Sequence, residues 1–233
     1  MSSATLLQLA DGRFPAGGHA HSSGTEPACG VGDVTDVRSL RGYVDGRLAT
    51  SGRVDAAFAA FACSLTRTPD AGEESWRGLD AELAARMLSP ASRRAGRTLG
   101  RQLLRAGERV WPHPAIADVR RAVADGVLQP IALGAVAGAA GLEPADAALC
   151  ALHHLSTSIT TAALRLLGLD PFAVARLHAD IAARVDRLAA EAADAASVAA
   201  VAGGPAGLPA ETGLLFDVLA EHHTTWEVRL FAS

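Results

Sequence analysis

An all-α fold, a single-domain bundle of about ten helices, is what this sequence predicts. Apolar residues recur three and four positions apart in one segment after another, the spacing that gathers them on one helix face. No stretch alternates apolar and polar residues between hairpin turns, and no βαβ rhythm is present. Of the 233 residues, 49% are apolar but only 4% aromatic, with alanine supplying much of the rest. Alanine favours helices and lets them pack at short axial distance. The length suits one domain: residues 1–202 form its helical body, and 203–233 add a linker, a last helix and a C-terminal tail.

Ser3 caps a short first helix whose Leu6, Leu7 and Leu9 point inward and which Gly12 ends. Phe14 to Glu26 (F-P-A-G-G-H-A-H-S-S-G-T-E) is a backbone-directed corner around which the chain is organised. Its glycines permit positive φ and close approach, while Pro15 fixes its own φ. Ser22 or Ser23 caps a helix carrying Glu26, with Pro27 in or near the first turn. Asp36 starts a helix with Val37, Leu40, Tyr43, Val44 and Leu48 on one side, and Arg53 to Leu65 reads as a buried helix. After a polar loop at 68–74, Trp76, Leu79, Leu83, Met87 and Leu88 keep helical spacing. Ser89 and Pro90 open a basic helix through Arg105, which Gly107 to Pro114 interrupts. Its arginines at 93, 94, 97, 101 and 105 fit a solvated face or a surface docked on an acidic partner, the first being favoured.

Ala115 to Val127 and Pro130 to Leu142 are further helices, the second with small residues at Gly134, Ala135, Gly138 and Ala139 for close packing. A long helix runs from near Pro144 to Leu167, and Phe172 to Ala200 continues with Leu177, Ile181, Val185 and Leu188 in heptad-like order. Gly203 to Pro209 reads as a flexible linker before a last helix at about Glu211 to His223.

The net charge of −4 argues against a nucleic-acid binder, and every basic side chain other than histidine is arginine. Cys29, Cys63 and Cys150 are odd in number and widely spaced, as in reduced thiols. The N-terminus lacks a secretory pattern, and Ile131 to Leu142 is too short to span a bilayer, so a soluble, cytoplasmic protein without membrane contact is expected. No phosphate-binding loop, H-E-x-x-H or G-x-S-x-G motif is present, so nothing nominates a catalytic residue. His153-His154 and His222-His223 are adjacent pairs; neighbours on a helix diverge by about 100°, so each pair reads as polar surface or interface. His19 and His21, in a glycine-rich loop, fit either metal ligands or polar interface residues.

L-L-Q-L-A-D-G-R-F-P-A-G-G-H-A-H-S-S-G-T-E resembles the N-terminal signature of the UreF family of urease accessory proteins, L-L-Q-L-x-D-x-x-x-P-x-G-x-[FY]-x-H-S-x-G-L-E. Ser92 to Leu104 resembles that family's arginine-led helix, and H-H-T-T-W-E-V-R-L-F-A-S is similar to its terminus H-E-x-x-x-x-R-L-[FY]-x-S. His19 stands where the family has an aromatic residue. L-G-L-D-P-F-A-V at Leu167 to Val174 replaces the family's P-L-G-Q-x-x-G-Q block.

The resemblance implies an all-α, dimeric, non-catalytic protein that takes part in urease maturation by nickel insertion. Its partners would be UreD (also called UreH), the GTPase UreG, whose hydrolysis it would control, and the urease apoprotein. Pro15, Gly17, Gly18, His19, His21, Ser22, Gly24 and Glu26 match the segment associated with the dimer and the UreG-facing surface. Arg229, Leu230, Phe231 and Ser233 match the tail that contacts UreD, and Trp226 adds an aromatic anchor. A mobile tail is favoured over one folded back on the core. No cofactor is expected to bind tightly and no resident metal site is assigned; nickel in transit, or a nickel-binding chaperone using the His19/His21 loop, is the alternative.

Overall fold

The computed structural model describes residues 3–69 and 71–231, and the side chain of His19 lies outside that description. Among the described residues the α-helices number eleven: α1 (Ser3–Ala10), α2 (Thr25–Gly30), α3 (Val37–Ala49), α4 (Ser51–Leu65), α5 (Glu73–Arg86), α6 (Pro90–Val110), α7 (Pro114–Ala122), α8 (Gln129–Ala139), α9 (Pro144–Leu167), α10 (Pro171–Val201) and α11 (Leu214–Thr224). Short 3₁₀ turns occupy Gly18–Ala20 and Pro205–Gly207, and no strand occurs among the described residues.

Helix α4 is the hub, packed against α8, α9 and α10, because the run from Ala56 to Cys63 is buried without interruption. Helix α8 is buried from Pro130 to Ala137 and approaches α4 closely at Gly134, where a Cβ would stand 2.1 Å from the Ala59 carbonyl oxygen. The long α9 and α10 close the other side, and α6 lies across α8. No helix of the described residues is long and apolar enough to cross a membrane.

Local signals set most helix starts. The Asp36 carboxylate accepts from Ser39 N–H at 2.7 Å, and the Ser39 hydroxyl accepts from Asp36 N–H at 3.0 Å, closing a reciprocal box. Ser89 caps α6 through Ser92 N–H at 3.0 Å, with Pro90 behind it, and Asp170 caps α10 through Phe172 N–H at 3.0 Å.

Tertiary contacts correct several sequence expectations. Ser3 is the first helical residue described rather than a cap, and Leu7 is 71% exposed while Leu9 is buried. Gly107 does not break α6: its bare backbone lets Val136 of α8 approach, and the helix continues to Val110. Helix α7 stops at Ala122, because the chain to Leu128 is held by Asp80 and Arg97 instead. Asp80 accepts from Leu128 N–H at 2.9 Å, and Arg97 donates to the Gly126 carbonyl at 2.6 Å.

The basic face of α6 is mostly internal structure. Arg93 donates to the carbonyls of Met87 and Leu88, Arg97 also pairs with Asp80 at 2.9 Å, and Arg101 donates to the Asp125 carbonyl. The 203–209 segment is likewise fastened. Arg86 donates to the carbonyls of Ala206 and Pro209 at 3.2 and 3.1 Å, and Leu208 is buried, so its Gly and Pro content marks a turn on the surface of α5 and α10.

Candidate functional site

The glycine corner is shaped by backbone that only certain residues accept. Gly17 and Gly24 hold φ of +77° and +81°, in the left-handed region. At Gly17 a Cβ would collide with the Gln102 side chain at 1.8 Å, so the corner lies directly against α6. Ser23, at φ +51°, is the one non-glycine residue with positive φ among the described residues. Two hydroxyls brace it: Ser23 and Ser158 lie 3.0 Å apart, and Ser158 donates to the His21 carbonyl at 3.0 Å. Gly24, rather than Ser22 or Ser23, is the N-cap of α2, although Ser22 Oγ accepts from Glu26 N–H at 3.3 Å.

Glu26 joins the corner to the tail. Its buried carboxylate accepts from Leu230 N–H at 2.7 Å and Phe231 N–H at 3.0 Å, and His223 Nε2 lies 2.9 Å from the same group. As a donor in this pair, His223 carries its proton on Nε2. Trp226 lies over Gly30, where a Cβ would be 2.3 Å from the indole, and is flanked by His222 and His223. Phe231 is 6% exposed, with the Arg165 guanidinium 5.0 Å from its ring centroid.

The tail through Phe231 is therefore folded back, against the expectation of a mobile arm, because Glu26 supplies acceptors for two of its amides. Glu26, Ser22, His21 and Phe231 are buried, whereas Pro15, Gly18, Arg229 and Leu230 are exposed. Gly17, Gly24 and Trp226 are partly covered, and Ser233 lies outside the described residues. The two predicted segments meet at Glu26 and are together called the patch.

Below the patch lies a cavity of about 1360 Å³, walled by the corner, α6, α9, α11 and the tail. His154 on α9 lines it and bonds the Leu9 carbonyl through Nε2 at 3.1 Å, anchoring α1. Burial lowers the His154 pKa to about 4, helped by the neighbouring His153. Asp55 of α4 also faces the cavity, and burial pushes its carboxyl up to about 7 against the opposing pull of Arg47. Arg47 stacks over Phe216 at 4.9 Å, and its Nε–H is buried without a hydrogen-bond partner among the described residues. The thiols of Cys63 and Cys150 are buried and raised to about 12, which leaves them inert.

The histidine pairs split: His153 and His222 are exposed, as the sequence expectation had them, whereas His154 is half-buried on the Leu9 carbonyl and His223 is buried against Glu26. Asp55, Arg47 and Gln102 belong to the site without having been nominated by any motif. Among the described residues no group of three or more His, Cys, Asp and Glu side chains is gathered as a metal site.

The sequence model of the UreF family matches residues 34–182. A urease accessory protein UreF from Mycobacterium sp. (strain JLS) is 41% identical over 229 residues, covering 98% of each chain. The protein of the same description from Mycolicibacterium vanbaalenii is 40% identical over 232 residues, covering 100% of this chain and 99% of that one. A third, from Mycobacterium tuberculosis, is 34% identical over 234 residues. These pairings extend over the corner and the tail, which lie outside the span of the family model.

Proposed function

The chain belongs to the UreF family of urease accessory proteins, and from that premise we propose that it is a non-catalytic scaffold of urease maturation. In this reading it binds UreD (UreH) through the tail and recruits and regulates UreG through the glycine corner, so that nickel is inserted into the urease apoprotein. It works as a homodimer in the cytoplasm.

The observation that carries this reading is the Glu26 clamp. Its buried carboxylate holds the tail amides, and the clamp leaves Val228, Arg229 and Leu230 presented outward on ordered backbone. Ordering the segment before binding reduces the entropy a partner must overcome. Exposed arginine and large apolar side chains on fixed backbone suit an interface better than a reaction centre.

Arg229→Ala is expected to weaken recovery of co-expressed UreD at least several-fold while leaving the thermal midpoint unchanged, since Arg229 is exposed and makes no ion pair among the described residues. Undiminished recovery would contradict the tail's role. Nickel in transit is a second reading, favoured by His153, His154 and Asp55 lining one cavity. Equilibrium dialysis with Ni²⁺, comparing the unaltered chain with His19→Ala/His21→Ala, separates transit from a chaperone that stores nickel on the loop.

A further inference from the structure

The cavity beneath the patch is larger than the roughly 300–1,000 Å³ of a small-molecule site, at about 1360 Å³. Its floor is largely apolar, with Phe14, Leu99, Leu103, Leu155 and Phe216 contributing. The charged groups around it are unbalanced. Arg47, Arg94, Arg105 and Arg229 line it against only Asp11 and Asp55. Of these two, Asp11 is already engaged by Arg13 at 2.6 Å, and Asp55 is drawn toward its neutral form by burial.

The arginines of α6 divide sharply. Arg93, Arg97 and Arg101 are bonded into the fold, whereas the guanidiniums of Arg94 and Arg105 are exposed and form no ion pair or hydrogen bond among the described residues, Arg94 acting only through space on the Glu221 carboxylate of α11. They lie 11 positions apart on the stripe that also presents Thr98 and Gln102 to the cavity, about 16 Å at 1.5 Å per residue. Arg47 also lines the groove, its guanidinium carbon 4.9 Å from the Phe216 ring centroid, which adds positive charge beside the apolar wall.

We infer that this groove receives an acidic amphipathic segment of a partner protein, with apolar side chains on the floor and carboxylates at Arg94 and Arg105. The match is one of charge and length: two carboxylates about three helical turns apart meet the two exposed guanidiniums. Gly17 and Gln102 form one lip of the groove and Arg229 of the tail another, so the segment would lie beside the exposed patch. The inference rests on the scaffold reading in taking the occupant from a partner.

An array of overlapping fifteen-residue peptides, covering urease and the accessory proteins of the same organism, tests it with the intact isolated chain. Acidic, leucine- or phenylalanine-containing peptides are expected to bind, with signal falling as salt rises and dropping at least tenfold for Arg94→Glu and for Arg105→Glu. Both side chains are exposed and unbonded, and circular dichroism of the variants checks that the fold persists. A blank array, preference for basic peptides, or insensitivity to both substitutions would overturn the inference. Dissociation of a homodimer by Arg94→Glu/Arg105→Glu, without peptide binding by the unaltered chain, would assign the groove to a second copy and also overturn it. Co-elution of full-length partners with a blank array sinks the groove and spares the scaffold; peptide binding without co-elution does the reverse.

Discussion

At Asp55, loss of solvent raises the carboxyl pKa to about 7, so the folded chain holds this proton more tightly than the unfolded chain does. The stability tied to the protonated form is complete below the ordinary carboxylate range and is lost as pH rises through about 7. Asp55→Asn should therefore raise the urea midpoint at pH 8 and leave it almost unchanged at pH 4; an equal shift at both would refute this. His154 has the opposite sign. Its pKa is lowered to about 4, so stability is complete above the ordinary histidine value of 6.5 and falls as pH drops toward 4. His154→Gln should flatten that fall, and an unchanged acid limb of the stability curve would rule it out. His154 stood out in the sequence only as half of an adjacent pair, and Asp55 not at all. Asp55 looks like any polar position on an alanine-rich helix, and only the packing of other helices onto α4 reduces its contact with solvent.

Among the elements, the corner and the tail depend on each other through Glu26. Glu26→Ala strips acceptors from two amides and from buried His223, a loss of about 1–3 kcal/mol per buried group left unsatisfied. The amides of Leu230 and Phe231 should then exchange with solvent orders of magnitude faster, while those of α4 keep their protection; unchanged exchange at 230 and 231 would dismiss the clamp. Gly17→Ala places a methyl against Gln102 at positive φ and should destabilise the chain by about 1 kcal/mol or more. The Asp170 cap of α10 went unread, whereas the starts of α3 and α6 were legible because Asp36 and Ser89 act locally. Helix ends and the tail were not. Gly107 is decided by Val136, the 203–209 turn by Arg86, and the tail by Glu26, each partner lying far away in sequence.

For the whole molecule, the all-α class followed from periodicity, and the family from motifs at the two ends. Those end motifs turn out to be neighbours in space, a relation that no spacing in the sequence reveals. The patch they build presents Pro15, Gly18, Val228, Arg229 and Leu230 to solvent, and binding through it is what urease maturation would use. The direct measurement is size-exclusion chromatography with light scattering of the chain co-expressed with UreD and UreG, beside an Arg229→Ala/Leu230→Ala variant altered only at exposed side chains. One particle containing all three proteins, from which the variant loses UreD, is the predicted result. A variant that assembles as completely as the unaltered chain, or an unaltered chain that elutes without its partners, would contradict the account.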